Sequence, residues 1–168
     1  MNRLQKIALC AAAMAALASP AFAQSSATVS TTGTTKIVSP LSIAQNSALA
    51  FGTIVKPGSA GTSIITVSEV DGTRSKTGTA ALATSTSSRA TYTVTGESGQ
   101  TFSIGTTALT MTRSGGSETL PVTLVKSGAT GTLIGGTATF GVGGSFTVAD
   151  TTVSGDYTGT FDVTVTYN

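Results

Sequence analysis

Short runs of Val, Ile, Thr, Phe and Tyr, separated by glycine-rich turns, make up most of the sequence after Gln24. Such runs are typical of β-strands, because β-branched and aromatic side chains fit a pleated, half-buried surface. Helix signals are nearly absent from the same region. Without helices to cover a parallel sheet, the pattern predicts an all-β fold, an antiparallel sandwich with essentially no helix after the N-terminal leader.

The strands and turns can be placed from the alternation and the glycines. We predict strands at Ala48–Val55, Ser63–Glu69, Thr79–Thr84, Ala90–Thr95, Gln100–Ile104, Ala108–Arg113, Thr119–Lys126, Thr137–Val142, Ser145–Ala149 and Asp156–Tyr167. Turns are predicted at Asp71-Gly72, Gly96–Gly99, Gly115-Gly116 and Gly143-Gly144.

Residues 1–23 have the three-part pattern of a secretory signal peptide. A basic start precedes the apolar run Ile7–Ala18, and Ala21-Phe22-Ala23 forms a small-x-small cleavage signal before Gln24. An N-terminal anchor helix is the alternative, but the apolar run is shorter than the roughly 18–20 residues that a span requires. We therefore expect export by the general route and no stable membrane insertion after cleavage.

The residue types that remain after cleavage exclude most catalytic chemistry. The sequence has no His, and its one cysteine, Cys10, lies in the predicted signal peptide. The usual general base, thiol nucleophile and transition-metal ligands are therefore missing. A calcium site at Glu69 and Asp71 is an alternative. These two acids flank a turn, however, and the sequence there lacks the alternating acidic pattern of an EF-hand. We predict no enzyme activity, no cofactor, and no catalytic or metal site.

The charge balance argues against a nucleic-acid partner. The sequence has Lys+Arg 9 against Asp+Glu 7, a net charge of +2. Arg3 and Lys6 belong to the predicted signal peptide, so the exported part is close to neutral. No basic field is left to attract nucleic acid or an anionic membrane.

The cleanest alternation of the chain is its last segment, YTGTFDVTVTYN. Every second residue is apolar, aromatic or Gly, which predicts a strand with one face toward the core. This strand either ends an ordinary sheet or offers an edge to another chain.

The segment at residues 24–39 differs from the rest, since it has no aromatic residue. Its alternate positions in an extended chain are Ala27, Val29, Thr31, Gly33, Thr35 and Ile37. We interpret it as an N-terminal extension and residues 40–168 as a single β-sandwich domain. The extension is either a mobile tail or a strand that completes a sheet, its own or a neighbour's.

Four stretches carry a resemblance to a known family: PLSIAQNSALAFGTIV, GTRSKTG, FGVGGSFTV and the C-terminal YTGTFDVTVTYN. They resemble a secreted proteobacterial family, domain-of-unknown-function family 4402. The most specific part is the stretch with Leu49, Phe51, Gly52 and Ile54. That family is similar to spore-coat-U-like and chaperone–usher pilus subunits, which are incomplete immunoglobulin-like sandwiches. Such subunits carry a penultimate Tyr and a Gly fourteen residues from the end, matched here by Tyr167 and Gly155.

The resemblance implies a non-enzymatic subunit of a surface fibre or adhesin, assembled by strand exchange. The partners it implies are a periplasmic chaperone and sister subunits in a homopolymer, in the periplasm or on the surface of a Gram-negative bacterium. The docking edge would comprise Gly155, Tyr157, Gly159, Phe161, Val163, Val165 and Tyr167. The candidate donor strand would comprise Ala27, Val29, Thr31, Gly33, Thr35 and Ile37, although Thr31, Gly33 and Thr35 stand where such subunits have bulkier groups.

A self-contained secreted sandwich that binds a cell-surface polymer is the alternative function. Phe51, Phe102, Phe140, Phe146 and Phe161 are predicted to face the core, and the sequence has no Trp. An exposed aromatic platform for sugar stacking is therefore not evident.

Overall fold

The computed structural model describes residues 25–168. The predicted signal peptide, with Cys10, and Gln24 lie outside the described residues. Within the described part there is no helix, and residues 25–36 have no regular secondary structure. The residues from Ile37 to Asn168 form one compact unit, and its strands confirm the predicted all-β class.

The strands are short, apart from one. They are β1 (Ser42–Ser47), β2 (Ile54–Val55), β3 (Thr62–Val67), β4 (Arg74–Lys76), β5 (Ala81–Leu82), β6 (Ala90–Thr95), β7 (Thr101–Thr106), β8 (Leu109–Arg113), β9 (Thr119–Lys126), β10 (Thr130–Thr132), β11 (Thr137–Ala149), β12 (Tyr157–Thr158) and β13 (Val163–Tyr167).

Every pairing between these strands is antiparallel. The largest sheet has the order β1-β6-β11-β9-β8-β12, and β3 joins it by pairing with β11 and β4. A second sheet has the order β10-β7-β13, and β2 pairs with β5 alone. The sheets curl around the core in a sandwich-like arrangement, with β1, β12 and β13 at the ends of their strand orders.

The long strand β11 organises the large sheet. Val142 is opposite both Ala90 of β6 and Lys126 of β9, so these two strands lie on opposite edges of β11. Gly144 is likewise opposite Val67 of β3 and Leu124 of β9. Strands β6 and β3 therefore follow one another along the same edge of β11.

The predicted turn at Gly143-Gly144 is wrong, because both residues lie inside the continuous strand β11. Glycine serves close packing here. A Cβ atom at Gly143 would overlap with the carbonyl oxygen of Val67, and one at Gly144 would lie 2.9 Å from the carbonyl oxygen of Thr123. The two predicted strands Thr137–Val142 and Ser145–Ala149 are consequently one strand.

Some of the other predicted strands are shorter in the structure, and some observed strands were not predicted. Residues 48–53 of the predicted strand Ala48–Val55 form only an isolated bridge, Ala50 to Ser88, before the short β2. Three strands were not predicted, namely β1, β4 and β10, since their sequences are polar and lack apolar alternation. The predictions for β6 and β9 match in both bounds, and the turns at Asp71-Gly72, Gly96–Gly99 and Gly115-Gly116 are confirmed.

Two neighbouring clusters of buried side chains form the core. The first centres on Phe51, Ile65 and Phe146, and the second on Tyr92, Phe102 and Phe140. Partly buried Leu49, Leu124 and Phe161 pack against both clusters. The prediction that the five phenylalanines face the core is confirmed, with Phe161 the least covered of them.

Candidate functional site

The last eleven residues before Asn168, Tyr157–Tyr167, form a terminal segment that crosses from one sheet to the other. Tyr157 and Thr158 pair with β8, and Val163–Tyr167 pair with β7. The predicted single strand Asp156–Tyr167 is thus interrupted at residues 159–162. Gly159 permits the crossing, because a Cβ atom there would lie 2.5 Å from the carbonyl oxygen of Thr110 and 2.9 Å from a methyl group of Leu109.

The core-facing residues of the terminal segment are only partly covered. Phe161, Val163, Val165 and Tyr167 pack against the second core cluster, yet each remains partly exposed, and the intervening residues are exposed. The segment pairs with β7 and β8 on one side, and on its other side no strand of residues 25–168 pairs with it. Its backbone edge therefore carries unpaired hydrogen-bonding groups beside an incompletely covered core.

Strand β1 has the same property at the other end of the large sheet. It pairs with β6 on one side only. Ile43 and Gln45 are opposite the buried Val94 and Tyr92, which places both on the core side of the sheet. Both are nevertheless exposed, because no described strand covers that face.

A groove separates β1 from the terminal segment. Its main part has a volume of about 560 Å³ and is lined by Ile43, Gln45, Leu49, Tyr92, Met111 and the residues from Tyr157 to Val163. A second part of about 530 Å³ shares Leu49, Phe51, Met111, Tyr157 and Thr158 with the first and extends between residues 49–56 and 152–158. The two parts form one elongated cleft, which is lined by apolar side chains and also by polar ones such as Gln45, Thr160 and Asp162.

A hydrogen-bonded junction joins the end of β13 to the chain that enters β1. The Tyr167 hydroxyl donates to the carbonyl oxygen of Ser39 at 2.8 Å and accepts from the backbone N–H of Glu97 at 2.7 Å. Ser39 in turn donates from its side chain and its backbone to the Glu97 carboxylate, at 3.0 Å and 3.3 Å. Tyr167 at the end of β13 thus lies beside Ser39, which precedes β1. Val163 at the start of β13 and Ile43 within β1 line the same groove. The two strands therefore run in opposite directions.

Tyr92 is the most deeply buried polar side chain of the groove floor, with 7% of its surface exposed. Its ring stacks on Phe140 with the ring centres 5.2 Å apart and the planes at 21°. Burial raises the pKa of its hydroxyl above the ordinary value. The hydroxyl makes no hydrogen bond to any residue in 25–168, in contrast to Tyr157, whose hydroxyl donates to the Val153 carbonyl at 2.7 Å.

Gly155 lies where the second part of the groove meets β8. A Cβ atom there would lie 2.8 Å from the Arg113 side chain, which is held by Glu118 in an ion pair of 2.6 Å. This pair lowers the pKa of Glu118 and raises that of Arg113, mainly through the shared hydrogen bond. The side chain of Arg113 is thereby fixed against the backbone of the groove wall.

Five of the predicted docking residues line the groove, namely Gly155, Tyr157, Gly159, Phe161 and Val163. Val165 and Tyr167 do not line it and pack against the second core cluster further along β13. The candidate donor residues do not pair with any strand among the described residues. Ala27, Val29, Thr31, Gly33 and Thr35 are exposed and outside regular secondary structure. Val29 and Ile37 are 87% and 89% exposed. The sequence does not reveal the opposite wall, β1, or the unpaired Tyr92 hydroxyl. The stretch with Leu49 and Phe51, predicted as a strand with Phe51 facing the core, also lines the groove.

Among residues 25–168, no group of three or more His, Cys, Asp or Glu side chains is placed to hold a metal ion. No helix in this part of the chain is long and apolar enough to cross a bilayer.

The fold and the groove define a class: an antiparallel β-sandwich domain with two unpaired strand edges bordering one cleft. A family model described as Domain of unknown function (DUF4402) matches residues 41–167, so the chain belongs to this family. No curated protein matches the chain. The family match begins one residue before β1 and ends at Tyr167, and it therefore includes both walls of the groove.

Proposed function

We propose that this chain is an exported, non-enzymatic subunit of a surface fibre that assembles by β-strand exchange. In this proposal the groove of one copy accepts the segment Ala27–Ile37 of another copy. The observation that carries it is the groove itself, in which two unpaired strand edges flank an incompletely covered core. An inserted strand would hydrogen-bond to those edges and cover the exposed side chains beneath.

The exposed state of the groove is a hazard for a free subunit. Long apolar edges promote uncontrolled pairing unless something covers them. A periplasmic chaperone that lends a strand before assembly fits this need, as does the resemblance to spore-coat-U-like and chaperone–usher pilus subunits. The proposed location is the periplasm and then the cell surface of a Gram-negative bacterium, consistent with the leader-like N-terminal sequence.

The proposal can be tested by the self-association of the full chain, measured by sedimentation velocity over a range of concentrations. Ile43→Lys places a charge in the groove and should abolish assembly. Ile64→Lys is the matched control, because Ile64 is 46% exposed, as against 36% for Ile43, and Ile64 does not line the groove. Wild type and the control should form concentration-dependent polymers.

Removal of residues 25–36 tests the donor. The shortened chain should not assemble, and a synthetic Ala27–Ile37 peptide should raise its thermal unfolding midpoint by filling the groove. A wild-type chain that stays monomeric, and a shortened chain indifferent to the peptide, would contradict strand exchange.

A secreted binding module for a cell-surface polymer is the second candidate. A cleft of about 560 Å³ lies within the usual size range of ligand pockets, and Tyr92 and Tyr157 line it. Saturable binding of a soluble polysaccharide, lost in Ile43→Lys and kept in Ile64→Lys, would favour this function over assembly.

A further inference from the structure

The floor of the groove contains a polar group whose partner is absent from residues 25–168. Tyr92 has only 7% of its residue surface exposed, and its ring is held in place because it stacks on Phe140 and belongs to the second core cluster. Its hydroxyl has no hydrogen-bonding partner among the described residues, and it is still open to solvent, since no fully buried side-chain oxygen or nitrogen there lacks a partner. A purely apolar strand in the groove would bury this hydroxyl without a hydrogen-bonding partner. Such burial costs free energy, and buried polar groups in proteins are normally hydrogen-bonded.

A second polar side chain stands at the same level of the groove. Gln45 is directly opposite Tyr92 in the β1–β6 register and lines the cleft. Its side-chain amide N–H donates to the carbonyl oxygen of Ser47 at 3.2 Å, so its own amide oxygen still points to no described donor. On the β1–β6 side of the groove, Tyr92 and Gln45 therefore form one polar level.

The segment Ala27–Ile37 has a matching composition. Along its alternating face, Val29 and Ile37 lie toward the two ends, and Thr31, Gly33 and Thr35 lie between them. A threonine hydroxyl can donate and accept, so it can satisfy a tyrosine hydroxyl or an amide oxygen. Gly33 adds no side chain and leaves room beside these bulky neighbours.

We propose that Tyr92 determines which strand the groove accepts, by hydrogen bonding to the hydroxyl of Thr31 or Thr35 from a second copy of this chain. This inference rests on the proposed strand exchange and specifies its chemistry. The central threonines are then recognition groups rather than weak substitutes for Val or Ile. A second copy is the occupant because residues 25–36 are exposed and outside regular secondary structure, and because β1 and the terminal segment each leave one strand edge unpaired beside the cleft.

The test is a double-mutant cycle on the self-association of the full chain, measured by sedimentation equilibrium. Tyr92→Phe removes only the hydroxyl and keeps the stacked ring, and it should weaken association by about 3- to 10-fold, the range of one net hydrogen bond. Thr31→Val and Thr35→Val keep the shape of the donor. If Thr31 or Thr35 is the hydrogen-bonding partner of Tyr92, its substitution by Val should weaken association of the otherwise wild-type chain by a similar factor. The same substitution should have little effect in a chain that already carries Tyr92→Phe.

Tyr157→Phe is the matched control, because Tyr157 also lines the groove but its hydroxyl already donates to Val153 within the same chain. It should show no coupling to either threonine. If Tyr92→Phe associates as tightly as wild type, and Thr31→Val and Thr35→Val both associate more tightly, the proposed role of Tyr92 is wrong. The proposal of strand exchange would still hold in that case. If the wild-type chain does not associate, or if Tyr92→Phe alters binding of a polysaccharide instead, both the exchange and this inference fail.

Discussion

The hydroxyl of Tyr167 joins the C-terminal strand to the carbonyl oxygen of Ser39, 2.8 Å away and 128 residues earlier in the chain. The same hydroxyl accepts from the backbone N–H of Glu97. One side chain therefore connects the chain entering β1, the β6–β7 turn and β13. Because Ile43 of β1 and Val163 at the start of β13 both line the groove, this junction connects its two sides beyond the groove itself.

Tyr167→Phe tests the junction. The change removes a donor to Ser39 and an acceptor for Glu97 while keeping the ring, so the free energy of unfolding should fall by about 1–2 kcal/mol. Urea unfolding measures the loss, and hydrogen exchange should show faster exchange at the Glu97 amide. Tyr157→Phe removes an exposed hydrogen bond and should cost no more than about 0.5 kcal/mol. Equal losses in both variants would contradict a special role for Tyr167.

Arg74 supports the groove wall through carbonyl groups and not through a carboxylate. Its guanidinium donates to the carbonyl oxygens of Phe51 at 2.7 Å and Ala83 at 2.6 Å. Arg74→Met keeps the aliphatic stem but leaves these partly buried oxygens unpaired, so unfolding should become easier by about 2–3 kcal/mol. Chemical unfolding of Lys76→Met, a change on the same strand, provides the control, because Lys76 makes one exposed contact with the Gly78 carbonyl.

Salt separates this arrangement from an ion pair. Since the partners of Arg74 are dipoles, the loss in Arg74→Met should be nearly the same at low and high ionic strength. A loss that disappears in high salt would show that Arg74 acts through a charged partner instead.

The sequence predicts strands well where alternation and burial coincide. Thr-rich β6 has Ala90, Tyr92 and Val94 buried on one face, and both of its bounds were predicted. Strand β1 was missed because its core-facing residues include Gln45 and because its conformation depends on pairing with β6, a contact with residues about fifty positions away. Local alternation contains no information about such pairing.

The candidate site was predicted only on one wall. Alternation identified Phe161, Val163, Val165 and Tyr167 as one face, and the structure places them together at an unpaired edge. The groove needs β1 as well, and the hydroxyl of Tyr92 becomes notable only when its tertiary surroundings leave it without a partner. Both are properties of packing between distant segments. Whether the edge accepts a strand stays a prediction.

Strand β11 continues through Gly143 and Gly144, and a substitution of Gly143 tests the reason that glycine is needed there. A Cβ atom at this position would overlap with the Val67 carbonyl oxygen and lie 2.6 Å from the Glu69 nitrogen, both backbone atoms. Gly143→Ala should therefore separate β11 from β3 and destabilise the fold by about 3 kcal/mol or more, within the range for overpacking. Gly105→Ala is the control in another strand, because the nearest atom lies 3.8 Å away, and thermal unfolding should show it unchanged or slightly more stable.

The turn at Asp71 predicts how stability responds to acid. The Thr73 backbone N–H, followed by the Ser68 side chain, lowers the pKa of Asp71 from its ordinary value of 3.8 to about 2. A lowered pKa means that the contribution of Asp71 is complete above about pH 4 and is lost as the pH falls through about 2, since the unfolded chain binds the proton first. Unfolding at several pH values should show a decline over this window that Asp71→Asn reduces, and NMR should give a carboxyl midpoint near 2. Ser68→Ala should move the midpoint upward only part of the way, because the Thr73 contact remains, and a wild-type midpoint near 3.8 would contradict the predicted role of the turn.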